Sequence, residues 1–160
     1  MNIINLKRAY LADMSKYDIY VAFLRPKPIL FGEMGIHWSI MIAHPGLEYG
    51  TMYHIVRSRR GGILSHYELH VRSFRPLNGD EIIDKKHIAT LLSTQMDRFN
   101  TILASVPLRD SQNWSIRNFY REAYGYSSEQ WTIEVIMALE DLQMVRYGTS
   151  LFVEPGSTVF

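Results

Sequence analysis

The 160 residues contain no cysteine, which excludes disulfides, thiolate metal sites and a cysteine nucleophile in the chain as written. Nowhere do about 18 apolar residues run together, the length a membrane-spanning helix needs, so no membrane span is expected. An excess of one charge is missing too, because 17 Lys and Arg stand against 16 Asp and Glu. Proteins that grip a phosphate backbone usually show a basic face, so no nucleic-acid partner is expected. The local clusters at Arg57, Arg59 and Arg60 and at Arg72 and Arg75 are read as a solvated hairpin turn and a strand edge. Repeats, low-complexity tracts and long internal linkers are absent as well. The apolar stretch in Met1–Arg8 is too short for a secretory signal, and its basic residues follow that stretch instead of leading it, so a cytoplasmic location is expected.

What is present is the material of one globular domain. Hydrophobic residues make up 47% of the chain and charged residues 21%, values far from the composition of disorder. A chain of this length buries roughly 70% of the surface its unfolded form exposes. One domain over 1–160 is expected, with a core from about 17 to 145. Residues 148–160, broken by Gly148 and Pro155-Gly156, are expected to form a tail that adds little to it.

The first half has strand chemistry. Tyr17–Leu24 is β-branched and aromatic and closes on Arg25-Pro26-Lys27-Pro28. After a loop with Gly32 and Gly35, Ile36–Ala43 forms a second strand that stops at His44-Pro45-Gly46. Gly50–Arg57 is a third, Gly61-Gly62 makes a turn, and His66–Phe74 alternates as a fourth. In the second half the period changes. Ile88, Leu91, Leu92, Phe99, Ile102 and Leu103 recur at spacings of three and four, predicting helix between Asp84 and Val106 with a break near Met96-Asp97. From Ser127-Ser128 onward, Trp131, Val135, Ile136, Leu139 and Leu142 share one helical face behind serines in capping position. Strands followed by helices define an α+β fold, an antiparallel sheet packed against C-terminal helices.

Without a thiol, chemistry falls to histidine, serine and acidic side chains. His37 and His54 lie in consecutive strands, and neighbouring antiparallel strands can bring alternate side chains to about 5 Å on one face. His66, Glu68 and His70 share a face by the period of two, but their spacing matches no metal motif, so no metal site is expected and the trio is read as a solvated polar face. Ser128 opens a helix, where unpaired backbone N–H groups and the macrodipole favour a developing anion. A nucleophile there would gain activation and an oxyanion site together. The plainer role for either serine is the helix cap.

The order of His37-Trp38 opening a strand, Tyr53-His54 after a Gly-Thr, Val106-Pro107 closing a helical stretch, Ser128 to Trp131 in an S-x-x-W pattern, and Ala138-Leu139-Glu140 resembles a family of small uncharacterised fungal proteins. In layout it is similar to the circularly permuted papain-like domains of the lecithin retinol acyltransferase group, over roughly residues 17 to 145. The resemblance implies His37 as general base, His54 as the group that orients its imidazole, and Ser128 in the seat of the nucleophilic cysteine. It also implies that Trp38, Tyr53, Glu129 and Trp131 surround the substrate. The departure is Ser128 itself, because a hydroxyl is far less acidic than a thiol. Three alternatives stay open: a serine that performs acyl chemistry, a serine substituted for a cysteine, or a site that has lost its nucleophile.

Two function classes follow. One is a small cytosolic enzyme acting on a small apolar substrate, such as one from secondary metabolism, by acyl transfer or hydrolysis, or by acid–base catalysis as a cyclase or isomerase. It would need no cofactor, and self-association is compatible with it. The other is a pseudoenzyme that binds a protein or peptide through the old cleft or a strand edge.

Overall fold

The computed structural model describes residues 14–25, 36–58, 66–108 and 128–156. The loop with Gly32 and Gly35, the Gly61-Gly62 turn, Arg59, Arg60 and Ser127 lie outside the described residues.

The chain is an α+β domain built on five antiparallel strands: β1 (Lys16–Leu24), β2 (His37–Ala43), β3 (Tyr49–Ser58), β4 (His66–Pro76) and β5 (Ile82–Leu92). They lie in the order β4-β3-β2-β1-β5. A 3₁₀ turn (Ser93–Gln95) leads into α1 (Met96–Ser105), followed later by α2 (Ser128–Asp141) and the single turn α3 (Thr149–Phe152).

Alternation along the strands divides the sheet into two faces. Ile19, Val21, Phe23, Trp38, Ile40, Ile42, Tyr53 and Ile55 point to one side, where Phe99, Ile102, Leu103, Trp131, Val135, Ile136 and Leu139 of α1 and α2 cover them. Their neighbours Ala22, Leu24, Met41, Ala43 and Met52 form a smaller cluster on the other side, closed by Leu77. Both faces are therefore buried over part of their area, which explains why β2 is buried at six of its seven positions. Close pairing also dictates Gly50, since a Cβ there would meet the Ile42 carbonyl oxygen at 2.3 Å.

Residues 84–92, expected as helix, belong to strand β5. The chain crosses from β4 to the opposite edge of the sheet through residues 77–81, and β5 then pairs with β1. The reason the period misleads is a bulge: His87 pairs with Tyr20 and Ala89 with Ile19, so Ile88 is an extra residue in the ladder. An inserted residue breaks the period of two. It lets Ile88 and Ala89 both pack on the helix-side core and sets Leu91 three positions beyond Ile88, which imitates one turn of helix. The expected break near Met96 coincides with the start of α1.

The C-terminal segment also departs from expectation. Val153 is 2% exposed within the main core. The Ser150 N–H donates to Glu140 Oε1 at 2.6 Å, and the Gly156 N–H donates to Asp84 Oδ2 at 2.8 Å. Burial pushes the Asp84 carboxyl up, but the N–H of Gly156, the Lys86 ammonium beside it and the N–H of Lys85 outweigh that and hold it below the usual carboxylate value. A chain truncated after Tyr147 would lose these ties and the burial of Val153, worth about 1.5–3 kcal/mol. Its denaturation midpoint is expected to fall clearly in a urea titration. An unchanged midpoint would show that the segment is the dispensable tail its composition suggests.

Candidate functional site

The site sits where β2 and β3 part. Pairing between them covers Ile40↔Tyr53, Met41↔Met52 and Ile42↔Thr51, whereas β2 stays paired to β1 as far as His37. The Trp38 N–H donates to Ser128 Oγ at 2.9 Å. The first residue of α2 is thus fastened to the start of β2 by a bond spanning 90 positions of sequence.

The same end of the two strands carries the histidine pair. His37 Nε2 and His54 Nδ1 are 3.0 Å apart, with the rings edge to face at 85° and their centroids 5.3 Å apart. At this distance one ring donates N–H and the other accepts, so the tautomer of each fixes that of its neighbour. His54 is 5% exposed and His37 is half-buried. By alternation His37 and His54 belong to the sheet face opposite Trp38 and Tyr53, whereas Ser128 meets β2 through the backbone. His37 and His54 meet each other on one face, whereas Ser128 bonds the Trp38 backbone from the helix-covered side. Among the described residues, the hydroxyl oxygen of Ser128 receives its hydrogen bond from the Trp38 backbone, and the ring nitrogen of His37 is engaged with His54.

The residues expected around a substrate are placed differently from one another. Trp38 is 4% exposed and packs edge to face on Phe23 at 4.8 Å between centroids. Tyr53 donates its hydroxyl to Asn100 Oδ1 at 2.9 Å, joining β3 to α1. Burial, with Tyr17 nearby, pushes that phenol above its usual value, so it stays a donor across the physiological range. Trp131 is fully buried among core side chains. Glu129 is exposed in the first turn of α2.

Two groupings were not legible as neighbours in the sequence. On β4, His70 lies directly across from His54, with ring centroids 6.0 Å apart, and His70 Nε2 is 3.3 Å from Glu68 Oε2. The alternation of β4 put Glu68 and His70 on one face, but only the pairing register places that face beside His54. The second grouping is at the bulge, where Thr90 donates to Asp18 Oδ1 at 2.6 Å and His87 Nε2 lies 3.2 Å from the same oxygen. It joins β1 to β5 and was hidden by the helical reading of 84–92. Among the described residues no three His, Asp or Glu side chains are disposed to hold a metal ion. No described helix is long and apolar enough to cross a membrane.

Fold and site together define a small α+β domain with a two-histidine centre between diverging strands and a helix N-terminus bonded to the same strand. The chain belongs to the DUF6540 family, a family of unknown function, whose profile matches residues 30–146. No curated protein and no solved structure matches it.

Proposed function

We propose that the chain is a histidine-dependent acyl-transfer or hydrolytic enzyme of papain-like layout, working in the cytosol on a small apolar substrate. The observation that carries this reading is the 3.0 Å contact between His37 and His54, two imidazoles positioned to hold and pass a proton near neutral pH. In this reading His37, the more open of the two, is the general base, and His54 holds its ring in one tautomer. Ser128 occupies the nucleophile seat. The Trp38 N–H aimed at its oxygen, together with the positive end of the α2 macrodipole, would stabilise an alkoxide more than a hydroxyl.

A second reading is favoured by the same bond. Because Ser128 Oγ already accepts from Trp38 and is 8% exposed, the histidine pair can instead carry acid–base chemistry, as in an isomerase or cyclase, without a covalent step. Substitution at Ser128 separates the two. With p-nitrophenyl esters of graded chain length as probes, Ser128→Ala is expected to abolish turnover and Ser128→Cys to give a burst of one p-nitrophenolate per chain; in a separate sample without ester, iodoacetamide is expected to alkylate the new thiol below its ordinary pH range. Undiminished ester turnover in Ser128→Ala would remove the nucleophile and leave the acid–base reading.

A further inference from the structure

The histidine pair does not stand alone in the sheet. From β4, His70 faces His54, Glu68 faces Val56 and Arg72 faces Met52 across the ladder. On the other flank β1 presents Ala22 and Leu24 beside Ser39 and His37 of β2. The charged or titratable groups that the described strands bring to the pair are therefore Glu68, His70 and Arg72, all from the edge strand. His70 sets its ring edge to face against His54 at 88° and 6.0 Å, and its Nε2 is 3.3 Å from the Glu68 carboxylate, with both side chains about four-tenths exposed.

We infer that His70, held against Glu68, is a positioning residue whose charge sets how readily the His37–His54 pair takes up a proton, so that the site is tuned from the exposed edge of the sheet. The physical basis is like-charge repulsion. A positive charge on His70, beside a buried imidazole, disfavours a second positive charge there. The pair then keeps a neutral, base-competent member to lower pH than it would alone. Arg72 adds a background that the substitutions at His70 leave in place. Val56 and Met52 contribute no titration, and Ala22 and Leu24 supply none from β1. The use of this coupling in catalysis rests on the reading of His37 and His54 given above, whereas the coupling itself is a property of the folded chain with or without substrate.

The test is a titration of the full-length protein labelled with ¹³C and ¹⁵N in its histidines, followed by NMR between about pH 5 and 9. The ring signals of His37 and His54 are assigned by their loss in His37→Gln and His54→Gln. In His70→Gln the midpoint at which the pair takes up its proton is expected to move up by about one pH unit, because a neighbouring positive charge is gone. In His70→Lys, which keeps a positive charge at that place, the midpoint is expected not to rise. A midpoint raised by glutamine and not by lysine at one half-exposed position follows charge and is not produced by loosened packing. Midpoints that stay put in both variants, or that move the same way, would overturn the inference. Backbone amide spectra confirm the fold of each variant, and His70→Arg serves if the lysine variant does not fold. A pair that titrates as described but whose removal leaves ester turnover intact would keep the coupling and discard the catalytic reading. A pair needed for turnover but blind to His70 would do the reverse.

Discussion

Trp131→Ala is expected to lower the unfolding free energy by about 3–5 kcal/mol, the usual cost of emptying an aromatic site in a core. Trp131 is fully buried, in the first turn of α2, with Val135, Ile136 and Leu139 following it on the same face. The helix cannot hold Ser128 against β2 without that anchor, so loss of stability and loss of the site should come together. Trp131→Phe separates packing from hydrogen bonding. Among the described residues the Trp131 indole nitrogen is buried with no partner, and a buried donor left unmade costs about 1–3 kcal/mol. Phenylalanine removes that donor while keeping most of the apolar volume, so it should cost far less than alanine. Urea denaturation of the two variants decides the matter. A loss below about 1 kcal/mol for Trp131→Ala would show that the ring is not a core anchor and would favour the substrate-contact role that the S-x-x-W pattern implies.

The strands of the first half were legible because turn residues bound them and β-branched side chains fill them. The expected strands Tyr17 to Leu24 and Ile36 to Ala43 match β1 and β2 to within one residue. Helix α2 was legible for the same kind of reason, since Trp131, Val135, Ile136 and Leu139 mark a stripe whose burial the fold then completes. Strand β5 was not, because one bulged residue, Ile88, turns a period of two into an apparent spacing of three. Long-range register was hidden too. Sequence gives each strand its two faces, but the residue across the ladder depends on the length and geometry of the connecting turn. Hence His37 and His54 were nameable as a pair on adjacent strands, whereas His70, which faces His54, stood apart as one of a solvated trio. The tail misled through its glycines and proline, which mark turns but say nothing of where Val153 goes between them. The Ser128 to Trp38 bond is of the same long-range kind, spanning the chain through a backbone N–H that no side-chain pattern reports.

The central claim is that the His37–His54 pair moves protons for a reaction, and the most direct measurement is turnover and melting of His37→Gln on one sample. Glutamine keeps a hydrogen-bonding side chain of similar reach beside His54 but does not titrate near neutrality. Ester turnover should therefore fall by roughly 10²–10⁴-fold, the ordinary contribution of a positioned general base, while the melting temperature barely moves. A histidine that only ties β2 to β3 would give the opposite pattern, with a stability loss of about 1–3 kcal/mol and turnover preserved in the folded fraction. Unaltered turnover in a fully folded His37→Gln protein would contradict the catalytic assignment and leave a domain that binds a protein or peptide partner as the better account.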